Sequence, residues 1–119
     1  MQLDTDRFLQ DLHSLRNIGR YRTGVHRPTF SADDMASRQW LCERLSEVGL
    51  EPTIDGIGNV FGRGPAEGPR LLAGSHLETQ NHAGFNGISH HWSEDTKEDD
   101  LAMGMQVFAR GAEAYLAMD

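Results

Sequence analysis

The chain has 119 residues, with 11 Lys and Arg against 18 Asp and Glu, a formal charge of -7, six His, one Cys and 38% hydrophobic residues. That is enough for one ordinary domain, able to bury roughly two thirds of its unfolded surface without disulfide or metal staples. The acidic balance and the lack of a Lys/Arg cluster argue against a nucleic-acid partner, and no apolar run approaches the roughly 20 residues that span a bilayer.

Met1 to Leu15 is charged, unlike a signal peptide, so a cytoplasmic location without membrane partners is expected. Within it, Phe8, Leu12 and Leu15 recur at helical spacing over Asp4 to Ile18, with Asp4 or Thr5 as N-cap and Gly19 at the C-terminal cap. Arg20 to Phe30 has no helical period and carries Gly24 and Pro28, which predicts a loop. Ser31 opens a second helix, with acids in its first turn, a stripe through Leu41, Leu45 and Val48, and a stop at Gly49. Cys42 lies on this helix without an intramolecular partner and reads as a buried or half-buried thiol.

Pro52-Thr53-Ile54, an Asp55-Gly56 turn and Ile57 to Phe61 predict two short strands, and the Gly- and Pro-rich stretch from Gly62 to Pro69 a surface loop. Arg70 to Ser75 is predicted to form a short apolar strand that delivers His76 at its C-terminal end. Leu77 to Ser93 shows no period and has the composition of a site loop. A third helix restarts at Thr96, with a stripe through Leu101, Met105, Phe108, Ala112 and Tyr115. Gly104 and Gly111 each cost about 1 kcal/mol relative to Ala in a helix interior, which suggests that another backbone packs closely there.

Imidazoles and carboxylates bind zinc, and by composition His76, His82, His90 and His91 qualify as ligands, although they match no fixed ligand spacing. His13 reads as a solvated or capping side chain, and His26 as a loop residue facing solvent or a neighbouring helix. Glu94, Asp95, Glu98, Asp99 and Asp100 suit the first turn of a helix, where negative charge is favourable. Trp92 reads first as a buried aromatic anchor and second as a stacking surface for a ligand.

Three stretches in order carry a family resemblance: Gly24-Val25-His26-Arg27-Pro28-Thr29-Phe30-Ser31, then Ile54-Asp55-Gly56-Ile57-Gly58-Asn59-Val60-Phe61-Gly62-Arg63, then Gly74-Ser75-His76-Leu77-Glu78-Thr79. Together they resemble the amino-terminal part of the zinc-dependent amidase/hydantoinase/carbamoylase family. That family includes N-carbamoyl-L-amino acid hydrolases, allantoate amidohydrolases and beta-ureidopropionases, among the aminoacylase and carboxypeptidase-like metallopeptidases. A second block, Gly87-Ile88-Ser89-His90-His91-Trp92-Ser93-Glu94-Asp95-Thr96, resembles the family's carboxy-terminal end.

The resemblance implies an α/β chain, a partial catalytic domain of a zinc-peptidase-like α/β/α fold in the order helix, helix, strands, helix, without the lid and dimerisation domain. Residues 1–84 would correspond to the family's N-terminal part and 85–119 to its C-terminal end, as one truncated domain. It implies that His76 is a ligand of one zinc, oriented by Glu78 where the family more usually has Asp, and that His90 is the carboxy-terminal ligand, supported by Glu94. His91 is then a neighbour, not a ligand.

Family enzymes are several times longer, and here only Gln80 to Asn86 separates the two blocks. No position matches the aspartate that bridges both zincs or the Glu pair that supplies a ligand and the general base. What remains is a weak mononuclear site of His76 and His90 with His82 or Glu78, holding zinc, manganese or cobalt as one ion rather than two. The expected activity is metal-dependent hydrolysis of C–N bonds in N-carbamoyl or N-acyl amino acids, impaired, with Glu78 or Glu94 as substitute base. The alternative is a non-catalytic metal-binding remnant or interaction module. Expected partners are a small amide or carbamoyl substrate and a second copy of the chain, whose uncovered faces favour a homo-oligomer.

Overall fold

The structure is a computed structural model, and the residues it describes are 3–68, 70–79 and 96–118. Its elements run α1 (Thr5–Asn17), β1 (Arg20–Tyr21), β2 (Gly24–Val25), α2 (Ala32–Glu47), β3 (Glu51–Ile54), β4 (Val60–Arg63) and α3 (Glu98–Leu116). Helices and strands mix, and the strands form two small antiparallel sheets, β1 with β2 and β3 with β4. Among the described residues no helix is long and apolar enough to cross a membrane.

Local chemistry sets where the first two helices begin. The Asp4 carboxylate accepts the Arg7 N–H at 2.9 Å, and the Ser31 hydroxyl accepts the Asp34 N–H at 3.1 Å. Each cap satisfies one of the donors a helix start leaves without a partner. Phe8, Leu12 and Leu15 form a half-buried stripe on α1, as their spacing predicts. The segment read as a loop, Arg20 to Phe30, contains the β1–β2 pair, with Arg20 opposite Val25 and Tyr21 opposite Gly24. Two-residue strands are too short to carry the alternation that marks a strand in sequence.

α2 lies on the β3–β4 hairpin, where Pro52 faces Gly62 and Thr53 faces Phe61. A Cβ at Gly62 would come within 2.6 Å of Leu45 Cδ2, so the bare glycine is what lets the helix settle on β4. The second strand starts at Val60 rather than Ile57, because residues 55–59 are consumed by the turn. There the Asp55 carboxylate accepts the Ile57 N–H at 3.0 Å, the Asn59 N–H at 2.8 Å and the Asn59 side-chain amide at 2.9 Å.

These bonds hold the Asp55 carboxyl below the ordinary aspartate range, chiefly through the Asn59 side-chain amide, against partial desolvation. A depressed carboxylate pKa gives a contribution that is complete above the unfolded value, about 3.9, and is lost as pH falls through the lower folded value. The Asn59 amide is therefore expected to keep its native chemical shift through the ordinary aspartate range in an acid titration and to lose it only below. A midpoint at the ordinary value would show that the turn does not draw on this carboxylate.

The segment from Arg70 to Ser75, predicted as a strand, joins no sheet among the described residues. Among the described residues no strand lies beside it to complete a ladder, and Leu72 is 84% exposed. α3 begins at Glu98 behind Lys97, which makes no side-chain capping bond, rather than behind Thr96. Its half-buried positions include Leu101, Met105 and Ala112, whereas Phe108 and Tyr115, expected on the same stripe, are exposed. A Cβ at Gly104 or Gly111 would meet nothing within 4 Å, so the close backbone contact expected there is absent among the described residues. The physical reason is that, among the described elements, α3 packs mainly on α1, and one helix covers only part of so wide an apolar face.

Candidate active site

The site is built around a buried charge pair at the start of α2. Asp34, fully buried, accepts the Phe30 N–H at 2.7 Å and, on the same oxygen, Arg38 Nε at 3.1 Å and Nη2 at 2.9 Å. Arg38 Nη1 donates to the Gly58 carbonyl, and its guanidinium lies 5.6 Å from the centre of the Phe30 ring. Gly58 has φ +89°, and a Cβ there would sit 2.8 Å from Arg38 Nη1, so glycine serves both the turn and the close approach. The pair fastens the 55–59 turn to α2, and Arg38 lines one side of an open cleft of about 580 Å³. Thr29, Asn59, Ser75, His76 and Glu78 supply polar groups to the same cleft.

His76 stands at the rim with its side chain 67% exposed. Its Nδ1 is 2.9 Å from the Glu78 main-chain carbonyl and 3.9 Å from the Glu78 carboxylate. A carbonyl only accepts, so Nδ1 carries a proton, and in the neutral ring the lone pair is on Nε2. The rim is anchored from below. The Thr79 N–H donates to the Arg27 carbonyl at 2.8 Å, and the Arg27 N–H donates to the Thr79 hydroxyl at 2.8 Å. The buried Arg27 guanidinium in turn donates to the Leu15 carbonyl at 2.7 Å and the Ile18 carbonyl at 3.4 Å, at the end of α1. Burial pushes the Arg27 pKa down from its ordinary value, with Asp34 and Asp33 opposing.

Of the residues singled out as ligands or bases, the structure brings His76 and Glu78 together at the cleft. His82, His90 and Glu94, with His91, Trp92 and Asp95, lie outside the described residues. His13 sits away from the cleft, its Nε2 2.7 Å from Glu98 Oε1 between α1 and α3. The His26 ring is tilted against Tyr21, with centroids 6.4 Å apart. Cys42 is a half-buried free thiol. Among the described residues no group of three His, Cys, Asp or Glu is gathered to hold a metal ion. Arg27, Arg38 and Thr79, which build the cleft and its rim, were not apparent as site residues from the sequence. For Arg27 and Thr79 the signal lay in their motifs, each immediately beside the residues that drew attention.

The donor chemistry at the rim suits a borderline divalent cation: an imidazole with Nε2 open and a carboxylate two residues away, both on an accessible edge. Two donors are fewer than the three protein ligands of a catalytic zinc centre.

A capped helix, a helix-backed hairpin and a segment that leads to His76 make up a mixed arrangement of helices and small antiparallel sheets. A crystal structure of an amidase of the hydantoinase/carbamoylase family from Burkholderia phymatum superposes with a TM-score of 0.67 at 40% identity, covering 76% of this chain and 21% of that one. An N-carbamoyl-L-amino-acid amidohydrolase of a Pseudomonas species is 31% identical over 91 residues, 72% of this chain and 22% of its own. A protein of Mycolicibacterium smegmatis named only as a hydrolase is 39% identical over 93 residues, 71% of this chain and 21% of its own. No family profile matches the chain. In sequence and in fold the chain matches a piece of the amidases of the hydantoinase/carbamoylase family. It spans about a fifth of the length of the relatives it matches.

Proposed function

We propose that this chain retains, in reduced form, the metal-dependent hydrolysis of C–N bonds in N-carbamoyl or N-acyl amino acids. The observation that carries the reading is His76, held at the rim of a polar cleft with Nδ1 occupied and Nε2 open. His76 would hold one divalent cation, with His82 and His90 as the further ligands. A bound cation would acidify a water and polarise the scissile carbonyl. Glu78 or Glu94 would take the proton. With no bridging aspartate or dedicated Glu base matched in the sequence, the expected rate lies orders of magnitude below that of a full-length dinuclear enzyme.

A second reading, a metal-binding module without turnover, is favoured by the two donors that the described cleft contributes. One experiment separates the readings. Elemental analysis of monodisperse protein equilibrated with zinc, manganese or cobalt is expected to find about one ion per chain, lost in the His76→Ala/His90→Ala variant. Metal-dependent release of amino acid from N-carbamoyl substrates, abolished in the same variant, supports the enzyme. Bound metal without turnover supports the module, and a wild-type chain that binds no metal sinks both.

A further inference from the structure

We propose that Arg27 and Thr79 are positioning residues that select the proton-bearing nitrogen of His76 through the main chain, and that the Glu78 carboxylate does not set it. The argument starts from a single peptide plane. The Glu78 carbonyl and the Thr79 N–H belong to one trans peptide and point in opposite directions. The Thr79 N–H is committed to the Arg27 carbonyl at 2.8 Å, which turns the Glu78 carbonyl the other way, onto His76 Nδ1 at 2.9 Å. The Thr79 hydroxyl closes a second bond by accepting the Arg27 N–H at 2.8 Å, so Thr79 is held against Arg27 at two points, and the direction of the N–H in the plane is fixed with it.

Arg27 is suited to this task because Pro28 follows it. The residue before a proline is pushed to extended backbone, which brings its own N–H and C=O to one side. Its guanidinium, fixed to the Leu15 and Ile18 carbonyls, ties the clasp to α1. The Glu78 carboxylate, at 3.9 Å from Nδ1, is beyond hydrogen-bond reach. The result is an imidazole with Nδ1–H occupied and Nε2 without a partner among the described residues. Its use for metal binding rests on the proposed function above; the tautomer itself does not.

The test is a long-range proton–nitrogen correlation spectrum of the full chain, labelled at histidine nitrogen and recorded without metal at about pH 8, above the ordinary imidazole pKa. His76, assigned by its loss in His76→Gln, is expected in the Nδ1–H form. Thr79→Val, which removes the hydroxyl and keeps the shape, is expected to shift His76 toward the Nε2–H form that an unconstrained imidazole favours. It should also weaken cobalt binding by about 10-fold. Thr79→Ser is expected to restore both, and Glu78→Gln to leave the tautomer unchanged. A wild-type His76 in the Nε2–H form overturns the proposal without recourse to any variant. So does a tautomer that ignores Thr79→Val in a chain with native amide dispersion, or one that follows Glu78→Gln. If Thr79→Val does not fold, the wild-type, Thr79→Ser and Glu78→Gln spectra decide the matter. An Nδ1–H imidazole in a protein that binds no metal would uphold the clasp and refute the proposed function.

Discussion

Replacing Asp34 with alanine is expected to remove about 3–5 kcal/mol of folding stability, the usual cost of leaving one member of a buried ion pair alone. The carboxylate is fully buried and one of its oxygens takes three hydrogen bonds, from the Phe30 N–H and from Arg38 Nε and Nη2. Its loss strands the Arg38 charge, which is itself 8% exposed, and releases the Phe30 amide. Small domains have about 5–15 kcal/mol in total. Here the described core is thin, with Val25 as the one hydrophobic residue among the described residues that is buried outright. Urea unfolding followed by circular dichroism should therefore show a strongly lowered midpoint or no cooperative transition. Asp34→Asn keeps the shape but not the charge and should fall between. Pairing Asp34→Leu with Arg38→Met should recover part of the loss, because removing both charges also removes their desolvation cost. A change below 1 kcal/mol for Asp34→Ala would mean that the pair is solvated in solution and that α2 is held on the hairpin by the packing of Leu45 at Gly62 instead.

That pair marks where sequence reading stopped. An acid in the first turn of a helix reads as a partner of the helix dipole. Nothing local says that Phe30 and the Gly58 turn will cover it. Features decided within a few residues were legible: the caps at Asp4 and Ser31, the helix stops at Gly19 and Gly49, which adopt φ +75° and +79°, and the hairpin turn at Asp55. Those that depend on a distant neighbour were not. The α3 period was visible, but which of its faces is covered depends on what packs against it, and α1 reaches only one side. The apolar run of residues 71–73 has strand composition, yet a strand exists only where a second one pairs with it. At the site, His76 and Glu78 stood out by residue type. The Arg27–Thr79 clasp joins residues 52 apart through one main-chain bond and one to a hydroxyl, and nothing local to either residue says that the other will meet it.

Arg27→Met tests the same clasp from its other end and should produce the second-largest effect. Hydrogen bonds from a charged group contribute about 1.5–3 kcal/mol each, and Arg27 makes a good one to the Leu15 carbonyl and a longer one to Ile18. Against this stands the cost of keeping a cation buried, the same burial that lowers its pKa. Because the buried Nε finds no partner among the described residues, that cost is only partly offset. Methionine fills much of the arginine stem's volume and carries no charge to desolvate. The balance favours arginine by roughly 1–3 kcal/mol, smaller than for Asp34, where the variant leaves a charge behind instead of removing it. The effect should also be local in a way that overall stability does not report. Hydrogen exchange should quicken at the Ile18 amide, which closes α1, and at the Thr79 amide, which holds the Glu78 plane, more than at Leu50 or Asp55, whose amide bonds lie in the α2–hairpin half. Uniform acceleration across both halves would show that Arg27 acts only through global stability. Acceleration confined to residues 15–27 and 79 would show that the end of α1 and the rim of the cleft open together, which requires that the guanidinium couples them.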